Sequence, residues 1–325
     1  MQGLTPLTYN VICDSDFIRN TFEWGLLIEI IFVAFLISIV AIYSKAWSIG
    51  GSGITITIPW IVSFNVILII GGVIAAFSLY AVNVAVEVLS WFFGIFGVGL
   101  CFNELIFLLK LDVLRVGFKV KGKEVRVMDG ISLLVGLGVC LGWWFSNNNW
   151  IVNDVVALCM TVAFIKVLKF TSLKMAIISF ASTITVEMVF VILINFVIEV
   201  SYNNIILNEF NNPFELQVPT INAVYNQKCA WLPITSIVYP GMLMSYMRRF
   251  DTSRNTNVYL ITCIVLFLVG SLLWMFVSVV SPHSWPFGLI AEPSMLGLVA
   301  FFAWKRKEIR TLWEGKFYDE EFANK

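Results

Sequence analysis

Glu187 stands at the centre of an unbroken apolar run from Met175 to Ile198, twelve residues after its start and eleven before its end, with no basic residue inside the run. As helix, about 18 Å separates this acid from either end. A carboxyl at bilayer mid-depth is costly and marks a functional site by default. Two chemistries would use it. Paired carboxyls sharing one proton activate water and protonate a carbonyl, whereas a single acid in a polar path carries a proton or an ion. The other residues that bear on this choice are Glu292, at the head of a later apolar run, and Ser236, near the start of another. Ser236 as a nucleophile would need a base within hydrogen-bond reach. The one histidine, His283, falls in a short loop before the last apolar run, so Ser236 is expected to bond its own helix backbone. No metal-ligand cluster or cofactor motif is read, and neither a metal nor a cofactor is expected.

The elements that position these groups are membrane helices. The 325 residues are 59% hydrophobic and 13% charged, where a soluble domain carries roughly 25% charged residues. Hydropathy predicts nine spans, at about 22–44, 54–80, 84–110, 129–146, 150–169, 174–200, 230–248, 257–281 and 287–304. Ile54 to Leu109 is one apolar stretch, roughly 84 Å as a single helix against a hydrocarbon core of about 30 Å. It must fold back, and Asn83 with Glu87 marks the expected turn. With the N-terminus outside, every one of the 21 basic residues except Arg19 and Lys228 falls in a cytosolic segment, as positive charge resists translocation. The first 20 residues have no apolar h-region, so the first span is read as a signal anchor. Glu29 and Glu104 fall toward helix ends, where snorkelling or a polar neighbour satisfies an acid.

The order along the chain is an outer tail (1–21), a four-span scaffold (22–146), a five-span region (150–304) and a cytosolic tail (305–325). The inner loop 111–128 alternates apolar and basic residues, and the outer loop 201–229 is Asn-rich. Cys13 and Cys229 both fall outside, where disulfides persist. They are candidates for a bridge or for two free thiols.

The five-span region carries a series of short signatures. Trp150-Ile151-Val152-Asn153-Asp154 opens its first span, with Asp154 suited to cap the helix start; Val218-Pro219-Thr220-Ile221-Asn222 precedes the third. That span contains Pro233, Thr235, Ser236 and Pro240-Gly241, and exits at Arg249-Phe250-Asp251. Glu292-Pro293-Ser294-Met295 begins the last, and Trp313-Glu314-Gly315 lies in the tail. This order and spacing resemble the signal peptide peptidase and signal-peptide-peptidase-like family, intramembrane aspartyl proteases related to presenilin.

The resemblance implies an all-α fold, a nine-helix bundle of the presenilin type, kinked at Pro240-Gly241. It also implies where catalysis would lie. The family's Tyr-Asp pair reads Val186-Glu187 here. Its Gly-x-Gly-Asp reads Pro233-Ile234-Thr235-Ser236, and its Pro-Ala-Leu reads Pro293-Ser294-Met295, preceded by Glu292 in place of Gln. Neither catalytic aspartate position holds aspartate. A serine hydroxyl does not ionise near neutral pH, and the extra methylene of Glu187 moves its carboxyl by about 1 Å, a misplacement that can cost about 10²-fold. The expectation is a pseudoprotease that binds transmembrane helices or partner proteins without cutting them. Two alternatives stay open: an active endopeptidase with a Glu187–Glu292 pair, and a transporter or channel using Glu187. Expected partners are membrane lipid and transmembrane helices, not nucleic acid. The compartment expected is the endomembrane system or the plasma membrane.

Overall fold

The computed structural model describes residues 31–40, 54–77, 79–109, 117–120, 123–146, 149–197, 213–219, 229–280 and 287–315. Among these the fold is mostly helical. The helices are α1 (31–40), α2 (Ile58–Phe77), α3 (Leu79–Leu108), α4 (Val127–Phe145), α5 (Trp150–Val167), α6 (Leu173–Val197), α7 (Thr235–Ser253), α8 (Val258–Val280), α9 (Phe287–Lys305) and α10 (Ile309–Glu314). Three segments are long and apolar enough to cross a membrane, Glu87–Phe107, Val127–Phe145 and Trp150–Val167; shorter apolar helices cover Ile31–Val40, Ile58–Ile67, Leu173–Val186 and Val258–Trp274.

Packing follows the rule that lipid gives apolar helices no reason to associate, so close backbone approach and polar cross-links must hold them. α3 lies against α4 and α5. At the α3–α4 contact a Cβ on Gly136 would sit 2.3 Å from the Ile95 carbonyl oxygen, a space only hydrogen can fill. Between α2 and α6 the Asn65 amide donates to the Ser182 hydroxyl. Between α3 and α5 the Lys166 ammonium pairs with Glu104, which is the polar neighbour expected for that acid. Exposed side chains such as Phe92, Leu134 and Phe145 give the outer surface an apolar character that suits lipid.

Four expectations change. Asn83 and Glu87 both lie inside α3, so the chain does not turn there. Neither residue breaks a helix, and the helical hydrogen bonds are cheaper than an exposed backbone in an apolar setting. The fold is not wholly helical: Ile54–Thr55 (β1) pairs in parallel with Leu168–Lys169 (β4), Gly117–Val120 (β2) with Lys123–Arg126 (β3), and Glu215–Pro219 (β5) with Cys229–Pro233 (β6), the last two ladders antiparallel. The β6 strand displaces the expected helix start from 230 to Thr235, and α7 then continues through Arg249-Phe250-Asp251 to Ser253. Asp154 does not cap α5. Asn149 does, its side chain accepting from the Ile151 amide at 3.0 Å, which leaves Asp154 a turn inside the helix.

Candidate functional site

Ser236 occupies the first turn of α7 and is 2% exposed, with Ile234 and Ile237 beside it equally buried. The turn is fixed from outside: the Ile234 amide donates to the Phe214 carbonyl at 2.9 Å, which ties the start of α7 to the segment leading into β5. Thr235 is half-buried. One turn after Ser236, Tyr239 meets Phe180 of α6 at a ring-centroid distance of 5.9 Å. Val186, on the same helix as Phe180, is buried. Glu187 lies in α6 two turns beyond Phe180 in backbone register. Its side chain and that of Pro233 lie outside the described residues, and so does the expected pairing of Glu187 with Ser236.

The third motif begins one turn into α9. Glu292 is 1% exposed, buried among its neighbours. Pro293 is exposed on the other side of the helix, Met295 is fully buried, and the Ser294 hydroxyl donates to the Ala291 carbonyl at 2.8 Å. α9 packs chiefly on α8, where Gly270 approaches the Ala291 Cα, and it also touches α6 and α7. A buried hydroxyl at 236 can donate and accept a hydrogen bond, but it supplies no second carboxyl. Among the described residues no cluster of three His, Cys, Asp or Glu side chains is placed to hold a metal ion.

Pro240 and Gly241 are buried within α7. At Gly241 α7 closely approaches α5 and α1, since a Cβ there would lie 2.4 Å from the Ile165 Cδ1 and 3.2 Å from the Ile37 Cγ2. Trp150 is exposed at the start of α5, and Asn153 of the same signature is fully buried. Cys13 lies outside the described residues, and of Cys229 only the β6 backbone is described, so the bridge lies outside them too.

The Arg249-Phe250-Asp251 signature organises the opposite end of α7. Asp251 is fully buried and caps α8, accepting from the Leu260 amide at 2.8 Å, the Tyr259 amide at 3.3 Å and the Thr256 hydroxyl at 2.7 Å. The Arg249 guanidinium reaches back to the Ser245 carbonyl at 3.2 Å and across to the Phe170 carbonyl at 3.3 Å. α10 closes this end. Its Leu312 carbonyl accepts from the Tyr246 hydroxyl, and Glu308 accepts from the Tyr259 hydroxyl at 2.6 Å. Gly315 ends it with φ 69°, and a Cβ there would sit 2.0 Å from the Thr171 carbonyl oxygen. Sequence reading located these two signatures but did not foresee that Arg249 and Gly315 both close on the α5–α6 junction, at Phe170 and Thr171.

A family model described as signal peptide peptidase matches residues 25–319. The chain is 25% identical over 218 residues to signal peptide peptidase-like 2A of Mus musculus, covering 61% of this chain and 41% of that protein. It is 24% identical over 235 residues to signal peptide peptidase-like 2A of Homo sapiens, covering 67% and 45%. With signal peptide peptidase of Homo sapiens it shares 22% over 189 residues, covering 57% and 47%. The chain thus spans less than half the length of these relatives. No solved structure matches it. With a match that runs over nearly all the residues that form the bundle, this chain belongs to the signal peptide peptidase family.

Proposed function

We propose that this chain is a catalytically inactive member of its family, a membrane-embedded pseudoprotease that binds transmembrane helices or partner proteins without cleaving them. The observation that carries the reading is the buried hydroxyl of Ser236, at the position aligned by motif with the second catalytic aspartate. Aspartyl proteolysis needs two carboxyls sharing a proton, and a hydroxyl there leaves Glu187 without its counterpart. Pro233 and Thr235 stiffen and fill the turn where the family's motif has glycines. Around the site, α6 and α7 meet through Phe180 and Tyr239, and α9 packs against both, which suits a scaffold that still receives helices. In this reading nine spans cross the bilayer, with the N-terminus outside and the C-terminus in the cytosol. The distribution of basic residues supports that orientation, in the endomembrane system or the plasma membrane.

A cell-based reporter with a type II membrane anchor fused to luciferase tests the reading. The expected result is no fragment release above background. Release that disappears on Glu187→Gln overturns it.

The burial of Glu292 favours a second reading, in which Glu292 replaces the missing carboxyl and the protein still cuts. It predicts release abolished by Glu187→Gln and by Glu292→Gln alike. Loss with the first substitution alone, or no release at all, rejects it.

A further inference from the structure

Along α9, Leu298, Phe301 and Trp304 are 40%, 48% and 68% exposed. Their spacing of three keeps them on one helix face, and an apolar face left open on a membrane helix suits lipid chains. The stripe stops at Trp304, and Lys305, Arg306 and Lys307 follow, all exposed. Tryptophan is favoured where hydrocarbon gives way to headgroups, and basic residues where headgroups give way to water. In the nine-span reading proposed above, on which this inference rests, the membrane surface lies at the last turn of α9.

The backbone at that level carries a cost. α9 closes with a Glu308 amide to Ala303 carbonyl bond at 2.8 Å and a Lys307 amide to Trp304 carbonyl bond at 3.0 Å, a pattern that requires a left-handed residue at 307. Lys307 adopts it, with φ 59°. The end of α7 uses the same closure, from Thr256 to Asp251 at 2.9 Å and from Asn255 to Thr252 at 3.3 Å, with Asn255 at φ 52°. Asparagine visits this region readily and glycine freely, but lysine has neither advantage. A residue held in a sparsely populated conformation is a pointer to function. The nearby acids are engaged elsewhere: Glu308 accepts from Tyr259, and Glu314 pairs with Arg310 at 3.1 Å. α10 then carries a second exposed tryptophan, Trp313.

We propose that the turn from α9 into α10 is a binding surface for anionic phospholipid headgroups, with Lys305 and Lys307 meeting the phosphate and Trp304 and Trp313 seated at the hydrocarbon boundary. The inference does not depend on whether the protein cleaves anything.

The full chain, purified in a neutral detergent and mixed with phosphatidylserine or phosphatidylcholine, is read by native mass spectrometry for retained lipid. Wild type retains phosphatidylserine over phosphatidylcholine. Lys305→Gln with Lys307→Asn lowers phosphatidylserine retention by about fivefold per residue removed and leaves phosphatidylcholine unchanged. Lys307→Asn alone lowers phosphatidylserine retention while raising the thermal unfolding midpoint in lipid-free detergent, because it relieves the left-handed turn. Equal retention of the two lipids by wild type overturns the proposal. So does unchanged retention by the double variant, or a Lys307→Asn midpoint below that of wild type.

Discussion

The phenolic hydroxyl of Tyr246 donates to the carbonyl oxygen of Leu312 at 2.7 Å, joining the middle of α7 to the short helix that ends the described chain. Both residues are fully buried. Tyr246→Phe removes the donor and leaves a buried carbonyl unsatisfied, a loss of about 1–3 kcal/mol. Thermal unfolding in detergent measures it, and limited proteolysis of the tail reports whether α10 undocks first. A midpoint equal to wild type would show that the bond contributes nothing.

Gly136→Ala forces α3 and α4 apart, because the added methyl meets a backbone carbonyl that cannot rotate away. The expected cost is about 1–3 kcal/mol, the range for overpacking a tight contact. Gly138→Ala is the control, since nothing lies within 4 Å of a Cβ there. The two variants should differ in thermal midpoint; equal midpoints would mean the helices are not pressed together at residue 136.

Asp251→Ala strips the cap from α8 and leaves two amides and one hydroxyl without their acceptor. Cap removal alone costs about 1 kcal/mol, and burial of the orphaned donors raises the total to roughly 3 kcal/mol. Asp251→Asn keeps one acceptor oxygen and falls between. Hydrogen exchange at Tyr259 and Leu260 localises the effect. Exchange there that matches wild type in both variants contradicts the capping role.

Lys169 sits at the α5–α6 junction, where burial first, then the charges of Arg249 and Lys166, hold its pKa below the ordinary 10.5. With a depressed folded value the unfolded chain binds more protons in the window just below pH 10.5, so stability rises with pH through that window. Lys169→Met removes the dependence and raises stability at neutral pH. Denaturation midpoints at pH 7.5 and pH 10 measure both effects, and a wild-type midpoint that falls over this range would reverse the sign.

On the proposed reading, a single aspartate does not confer cleavage. Ser236→Asp alone leaves the reporter at background, since Glu187 still carries an extra methylene and Pro233 and Thr235 still occupy the glycine positions. Glu187→Asp, Pro233→Gly, Thr235→Gly and Ser236→Asp combined are expected to raise release above background. Release from Ser236→Asp by itself would make residue 236 the sole lesion.

Hydropathy located the helical segments because apolar runs of membrane length have few other uses, and α5 begins at Trp150 as expected and ends two residues early. The register of strands was not legible. β1 and β4 are two residues long and pair across more than a hundred residues of sequence, so no local pattern announces them. β5 lies in a loop whose Asn-rich composition hid it. Asn83 and Glu87 misled because polar residues in an apolar stretch resemble a turn, whereas the helix absorbs them. At the site, the motif residues were legible one by one: Ser236, Val186, Glu292 and Met295 are buried. Their burial was not, since exposure depends on which helices pack together. Arg249-Phe250-Asp251 and Trp313-Glu314-Gly315 were recognisable only as signatures, because the approach of Arg249 to Phe170 and of Gly315 to Thr171 joins separate parts of the chain.

Gly315 has a consequence for how the protein is made. It rests on the Thr171 carbonyl, a partner synthesised more than a hundred residues before it. The α5–α6 junction therefore waits, without its cover, until Gly315 has been made. A ribosome stalled before Leu312 would leave that end of the helices still open.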